Sequence, residues 1–272
     1  MKTISFVKMH GLGNDFILVD NRSGRLRLRP ADARFLCRRS FGVGADGVIV
    51  AERTRRADLR MAILNSDGSR AEMCGNGIRC LALWARRHGL VRANRLSVET
   101  DAGVKAIRIL GDTATVDMGE PCFEGRKIPV RRDGEILDHP RQFGPNRFRI
   151  TCVSMGNPHC VIFADPASAP LGERIETDPF FPKRTNVEFV RVRSRFEIEV
   201  GVWERGAGIT LACGTGACAS AVASARLGKT GRRVKVRLPG GTLRVEWAAD
   251  NHVYMTGPAE FVFTGEVPLP VR

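Results

Sequence analysis

No stretch of the 272-residue chain approaches the ~20 consecutive apolar residues that a membrane-spanning helix needs, so no membrane partner is expected. Cys-x-x-Cys is missing too. The pairs Cys74/Cys80 and Cys213/Cys218 are spaced so that they share no helix face well, and no metal site is expected from the eight cysteines. The glycine run Gly42-Val43-Gly44-Ala45-Asp46-Gly47 leads into a strand, whereas a dinucleotide loop needs glycines between a strand and a helix, so no nucleotide cofactor is expected. A net charge of +14 raises the question of nucleic acid, but the arginines lack aromatic interleaving or a binding motif. They read as a solvated basic surface, one that suits a dianionic small-molecule substrate. The first ten residues are broken by Lys8 and His10 before an apolar signal core can form, so a cytoplasmic location with reduced thiols is expected.

What the chain does have is a repeated element. Cys74-Gly75-Asn76-Gly77 recurs as Cys213-Gly214-Thr215-Gly216, and each copy precedes a run of small and apolar residues that predicts a buried helix. Each cysteine thus sits where a loop enters a helix, beside unpaired N–H groups and the positive end of the helix dipole. There a thiol loses its proton more readily, and a carboxylate meets ready donors. One isolated cysteine of this kind is most simply a small buried residue; two in matching glycine frames point to a site served by two similar halves.

Length supports two domains of roughly 120–150 residues, and the stretch 119–148, rich in proline, glycine and charge, is the expected boundary. The first half covers 1–118, with a tail at 264–272 expected to return to it; the second covers 119–263. Strands are expected at 4–10, 16–20, 48–50, 59–64, 95–100, 104–110 and 113–118, with a short helix from Arg29 to Arg39 and a long one from Cys74 to His88. The second half repeats the plan, with strands at 148–154, 159–163, 186–192 and 196–203 before the Cys213 helix, and at 233–237, 242–247, 253–256 and 259–263 after it. The fold class is therefore α+β: two pseudo-symmetric domains, each a barrel-like sheet around a central helix.

Several loops carry polar groups of the kind sites use: His10 to Phe16 with Asn14, Asn65 to Ser69, Gly156-Asn157-Pro158-His159, Thr185-Asn186-Val187-Glu188 and Glu204-Arg205-Gly206. Taken singly, Asn14 belongs to a hairpin, His159 is a structural histidine, Asn186 a turn residue and Glu204-Arg205 a solvated pair.

Taken in order, these motifs resemble diaminopimelate epimerases over essentially the whole chain, most specifically in Asn65-Ser66-Asp67-Gly68-Ser69 followed by Cys74-Gly75-Asn76-Gly77-Ile78-Arg79. The resemblance implies interconversion of LL- and meso-2,6-diaminoheptanedioate without pyridoxal phosphate or another cofactor, by a cytoplasmic homodimer serving lysine and peptidoglycan precursor synthesis. It implies that Cys74 is proton donor and Cys213 acceptor in the LL to meso direction, assisted by His159 and Glu204. It assigns substrate binding to Asn14, Asn65, Asn157, Asn186, Glu204 and Arg205, and to the backbone donors of Gly75-Asn76 and Gly214-Thr215. Two positions depart from the pattern: Gly47 stands where some members carry a glutamine, and Phe263 where a dimer-contact tyrosine is frequent. The residues also leave room for a related racemase acting on proline or hydroxyproline, against which the set of four asparagines and Arg205 speaks.

The chemistry agrees with the resemblance. Inverting an α-carbon needs proton removal on one face and delivery on the other, which a thiolate and a thiol supply, since cysteine's ordinary pKa of roughly 8.5 can be drawn toward neutrality. Two such thiols facing one carbon would also be prone to oxidation to a Cys74–Cys213 disulfide, reversible by dithiothreitol.

Overall fold

A computed structural model describes residues 3–91 and 93–270 of the chain. Met1 and Lys2 of the N-terminal reading, and Val271 and Arg272 of the returning tail, lie outside the described residues. The chain divides into two compact units, Met1–Val116 with Gly257–Arg272, and Asp117–Thr256.

In the first unit, strands Thr3–Gly11 and Asn14–Asp20 form a hairpin whose two linking residues, Leu12 and Gly13, both have positive φ. That is the turn whose twist matches paired strands, and it places Asn14 on the second strand rather than in the turn. Asn14–Asp20 then pairs in parallel with Gly47–Glu52, which pairs antiparallel with Leu59–Asn65. The latter pairs antiparallel with the short Arg70–Ala71 and in parallel with Arg95–Thr100; Gly103–Leu110 and Thr113–Asp117 continue antiparallel. The helix Gly75–Arg87 lies between the short strand and Arg95–Thr100 in sequence.

The second unit repeats this scheme pairing for pairing. Asn146–Ser154 is antiparallel to Pro158–Ile162, which is parallel to Asn186–Ser194, which is antiparallel to Glu197–Glu204. A short strand, Gly208–Ile209, again pairs antiparallel with the last of these, and Arg233–Leu238 pairs with it in parallel after the helix Gly214–Arg226. Gly241–Trp247 and Val253–Pro258 follow antiparallel. The α+β, two-half arrangement expected from the sequence is the one found.

Both central helices are buried on nearly every side. Gly75 through Ala85 are all buried in the first, and Ala217 through Ser224 in the second. Strands between such a helix and an outer layer are covered on both faces, which is why they read as continuous apolar runs. Val48 and Val50 pack into the outer cluster with Leu36 and Cys37 of the short helix Pro30–Cys37, while Ile49 between them faces the central helix beside Gly77. In the second unit Val187 and Phe189 pack outward with Phe143, Phe180 and Phe181, and the residue between them is Glu188. A fully buried carboxylate thus occupies a position that the first unit fills with isoleucine.

The structure corrects some boundaries. Of residues 259–263, expected as a strand of the second half, 260–263 belong to one nine-residue strand, Glu260–Pro268, that pairs with Thr3–Gly11 of the first unit. Its side chains are too exposed for burial to mark its length, so periodicity alone stopped it short. The stretch 119–148, expected as the boundary between the halves, contains the strand His139–Phe143, held on Asn146–Ser154 and masked by its polar composition. The 3-10 and α segments Pro166–Leu171 and Gly172–Glu176 were not anticipated, since proline at either end of the first of them obscures any helical period.

Candidate active site

In each unit the cysteine is the cap of the central helix. Cys74 has extended backbone angles and its sulfur accepts the Gly77 N–H at 3.4 Å; Cys213 repeats this with Gly216 at 3.3 Å. A thiol is an unusual helix cap, taking the place of the hydroxyl or carboxylate oxygen that ordinarily satisfies those first N–H groups. Glycine at the third helical position is required by space. A Cβ on Gly216 would stand 2.7 Å from Glu188 Oε1 and 3.3 Å from the Cys213 sulfur, and one on Gly77 would meet Ile49 at 3.0 Å.

Around Cys74 the first unit gathers Asn14 and Asn76. Asn14 Oδ1 accepts from Asn76 Nδ2 at 3.2 Å and from the Cys74 thiol at 3.7 Å, while Asn14 Nδ2 donates to Asp46 at 2.8 Å. Asp46 therefore fixes which end of the Asn14 amide meets the sulfur. Arg39 holds Asp46 and Asp15 together, and Lys8 pairs with Asp15 beneath them. The Asn65 amide donates to Ser69 Oγ at 2.9 Å across the turn, and the next residue, Ser66, donates its N–H to Asp46 O at 3.0 Å. Gly75 presents its carbonyl to Arg79 Nη1 at 3.0 Å.

Around Cys213 the second unit gathers more. Thr215 Oγ1 lies 3.5 Å from the sulfur; Asn157 Nδ2 donates to Thr215 Oγ1 at 3.2 Å; His159 Nε2 meets Asn157 Oδ1 at 2.9 Å; and His159 Nδ1 meets Glu188 Oε1 at 2.7 Å. His159 and Glu188 are fully buried. Glu204 accepts from Thr210 at 2.6 Å and lies within hydrogen-bonding reach of Cys213. Asn186 is locked by its neighbours, donating to Pro158 O and accepting the Arg205 N–H, both at 2.9 Å. The Arg205 side chain is exposed and donates to Lys183 O. Gly214 opens the helix after the capping thiol.

Burial pushes Cys213 well above its ordinary value, Glu204 and Glu188 push the same way, and the Thr215 and Gly216 donors pull it down. Burial also raises Glu204, against the Thr210 hydrogen bond. Burial is also the main cause that drives Cys80 to about 12 and Cys37 to about 11. All eight cysteines are free thiols, with Cys74 half-buried. In the native protein at neutral pH, iodoacetamide is therefore expected to alkylate Cys74 and leave Cys80, six residues along the same helix, unmodified. Peptide mapping reads the result, and comparable labelling of Cys80 would contradict it.

Sequence reasoning missed Glu188, Asp46 and Arg79. Glu188 and Asp46 lay inside motifs, but their partners His159 and Asn14 are remote in sequence and reached across strands, while Arg79 gave no sign of the Pro258 carbonyl it bonds 179 positions away. Among the described residues no group of three or more His, Cys, Asp or Glu side chains is placed to hold a metal.

A duplicated sheet wrapped on a central helix, once in each half, defines a fold class shared with several solved structures. A probable proline racemase from Agrobacterium radiobacter superposes with a TM-score of 0.72 at 16% identity, covering 98% of this chain and 93% of that one. A phenazine biosynthesis protein of the PhzF family from Bacillus anthracis gives 0.71 at 18% identity, covering 99% and 100%. Within that class the chain belongs to the diaminopimelate epimerase family, whose model matches residues 6–124 and 151–262. It is 51% identical to the diaminopimelate epimerase of Moorella thermoacetica over 97% of this chain and 99% of that protein. The corresponding enzyme of Desulfitobacterium hafniense is likewise 51% identical, over 96% and 97%.

Proposed function

We propose that the protein interconverts LL- and meso-2,6-diaminoheptanedioate with two thiols, one removing the α-proton and the other supplying its replacement on the opposite face, in lysine and peptidoglycan precursor synthesis. The observation that carries the reading is identity of about half to diaminopimelate epimerases across nearly the full length of both chains. In the LL to meso direction Cys213 takes the α-proton as thiolate and Cys74 delivers one to the opposite face; the roles reverse with direction. The first-turn N–H groups of the two central helices, from Gly75-Asn76 and Gly214-Thr215, stabilise the carboxylate as negative charge develops at the carbon. Each such donor contributes about 3–4 kcal/mol toward a barrier reduction on the order of 8–23 kcal/mol. Asn14, Asn65, Asn157, Asn186 and Arg205 bind the polar ends of the substrate, with Glu204 and His159 assisting the thiols. This scheme uses no organic cofactor and no metal. The protein is further read as a cytoplasmic homodimer with an aromatic contact at Phe263, whose side chain is about half exposed, and with neither nucleic acid nor membrane as partner.

Incubation of the purified protein with LL-diaminoheptanedioate, without added cofactor, is expected to yield meso product up to equilibrium. Chromatographic separation of the stereoisomers reads the result. Turnover of proline or hydroxyproline, with none of the diamino acid, would replace this reading by the racemase alternative.

A further inference from the structure

Strand pairing places the two halves in register. Phe16 is paired with Gly47 and Gly47 with Asn65; in the second unit His159 is paired with Asn186, and Val187 with Trp203, which brings Asn186 beside Glu204. By this correspondence Phe16 and Ile49, which pack on Gly77 of the first unit, are replaced by His159 and Glu188, with Glu188 packed on Gly216. The fold therefore does not need an ionisable pair at these positions. Burying one is unfavourable compared with an apolar pair, yet only the half with Cys213 carries it.

The pair also heads a continuous hydrogen-bond chain: Glu188, His159, Asn157, Thr215, Cys213. Both nitrogens of His159 face oxygens, Glu188 Oε1 at 2.7 Å from Nδ1 and Asn157 Oδ1 at 2.9 Å from Nε2, so in this arrangement Nε2 presents a proton to Asn157 while Nδ1 shares one with the Glu188 carboxyl group. Asn157 then accepts from His159 with its oxygen and donates to Thr215 with its nitrogen. Thr215, with its oxygen accepting, has its own hydrogen left to give to the Cys213 sulfur. With a neutral His159 bearing its proton on Nδ1, the Asn157 amide turns over, takes the Thr215 hydrogen, and leaves the sulfur facing an oxygen lone pair. Whether Nε2 of His159 bears a proton thus decides whether the sulfur meets a donor, which favours thiolate, or an acceptor, which favours thiol. The first unit shows the second outcome, since Asp46 turns Asn14 so that its carbonyl faces the Cys74 thiol.

We propose that Glu188 is a positioning residue for the reaction, holding His159 with a proton on Nε2 so that the chain through Asn157 delivers the Thr215 hydroxyl to Cys213 as a donor. The proposal rests on the epimerase reading, in which Cys213 must act as a base. It supplies an asymmetry between two thiols whose helix caps are otherwise alike. Besides this chain, the charged group facing Cys213 is Glu204, with the Gly216 N–H as further donor.

Glu188 is close enough to act on Cys213 through space as well, by removal of its charge, so the test is a cycle. The pH dependence of Cys213 alkylation by iodoacetamide, read by peptide mapping, is compared in the unaltered protein, E188Q, T215V and E188Q/T215V. A through-space effect is the same in both backgrounds, whereas transmission through the chain requires the Thr215 hydroxyl. E188Q is expected to slow Cys213 alkylation at neutral pH about tenfold more in the Thr215 background than in the T215V background, equivalent to about one pKa unit. T215S, which keeps the hydroxyl, is expected to preserve the response to E188Q. Equal effects of E188Q in both backgrounds would overturn the proposal. Should E188Q fail to fold, H159F/E188I takes its place, because the first unit shows that the fold accommodates those side chains. The alkylation readout needs no substrate: coupling without turnover of diaminoheptanedioate would overturn the function alone, and turnover without coupling would overturn the chain alone.

Discussion

Replacing Cys74 or Cys213 by alanine is expected to lower epimerisation about 10³-fold or more while the fold stays intact. The size follows from chemistry that needs a proton acceptor on one face of the carbon and a donor on the other, so that loss of either leaves no path to the opposite configuration. The intact fold follows from position, since each cysteine stands at the end of its helix, where the sulfur accepts a first-turn N–H, while the body of the helix is buried by its own apolar residues. A cap of this kind contributes about 1 kcal/mol, small beside the burial of eleven consecutive helix residues in the first unit. Serine in either position restores the cap but not the rate, because a hydroxyl is a far weaker acid than a thiol. Steady-state kinetics with circular dichroism as the folding control read the result, and near-normal turnover by either alanine variant would contradict the two-thiol account.

Arg79→Met is expected to destabilise the first unit by about 3–5 kcal/mol and to lower its unfolding temperature by about 10 °C. Arg79 is fully buried, and its guanidinium donates to Gly75 O at 3.0 Å, to Asn76 Oδ1 at 3.0 Å and to Pro258 O at 3.1 Å. It thereby ties the start of the central helix to the segment that enters the last strand. Methionine preserves the length of the side chain and removes every donor, leaving three buried acceptors to lose their partner together. Activity is expected to fall as well, because Asn76 is turned by the same guanidinium. Thermal unfolding followed by circular dichroism measures the effect, and a shift below about 2 °C would show that those acceptors find other donors.

The duplication was legible in the sequence because it rests on local pattern: a cysteine between a loop and an apolar run, glycines on both sides of a polar residue, and short strands spaced by turns. The central helices and most strands follow from the same signals, since a strand buried on both faces announces itself as an apolar run. Where the signal was weak the structure went further. The strand Glu260–Pro268 is largely exposed on alternate and adjacent positions, so its true partner, Thr3–Gly11, lies some 250 residues away and leaves no trace in its own composition. The candidate site divides in the same way. Cys74, Cys213 and the asparagines stand in motifs, whereas Glu188 reads in sequence as one more residue of Thr185-Asn186-Val187-Glu188. Its meaning depends on parallel pairing of Asn186–Ser194 with Pro158–Ile162, which brings it to His159 across 29 positions. Asp46 likewise reads as part of a glycine loop until Asn14 is seen to depend on it.

The central claim is that one thiol removes the proton and another supplies its replacement. Incubation with LL-diaminoheptanedioate in deuterated water, sampled while conversion is a few per cent, tests it most directly. The thiols carry solvent deuterium before substrate binds, so the account predicts α-deuterium in the meso product while the recovered LL substrate remains protiated. Meso product that retains the original hydrogen, or deuterium entering recovered LL substrate as fast as product forms, would mean that a single base serves both faces.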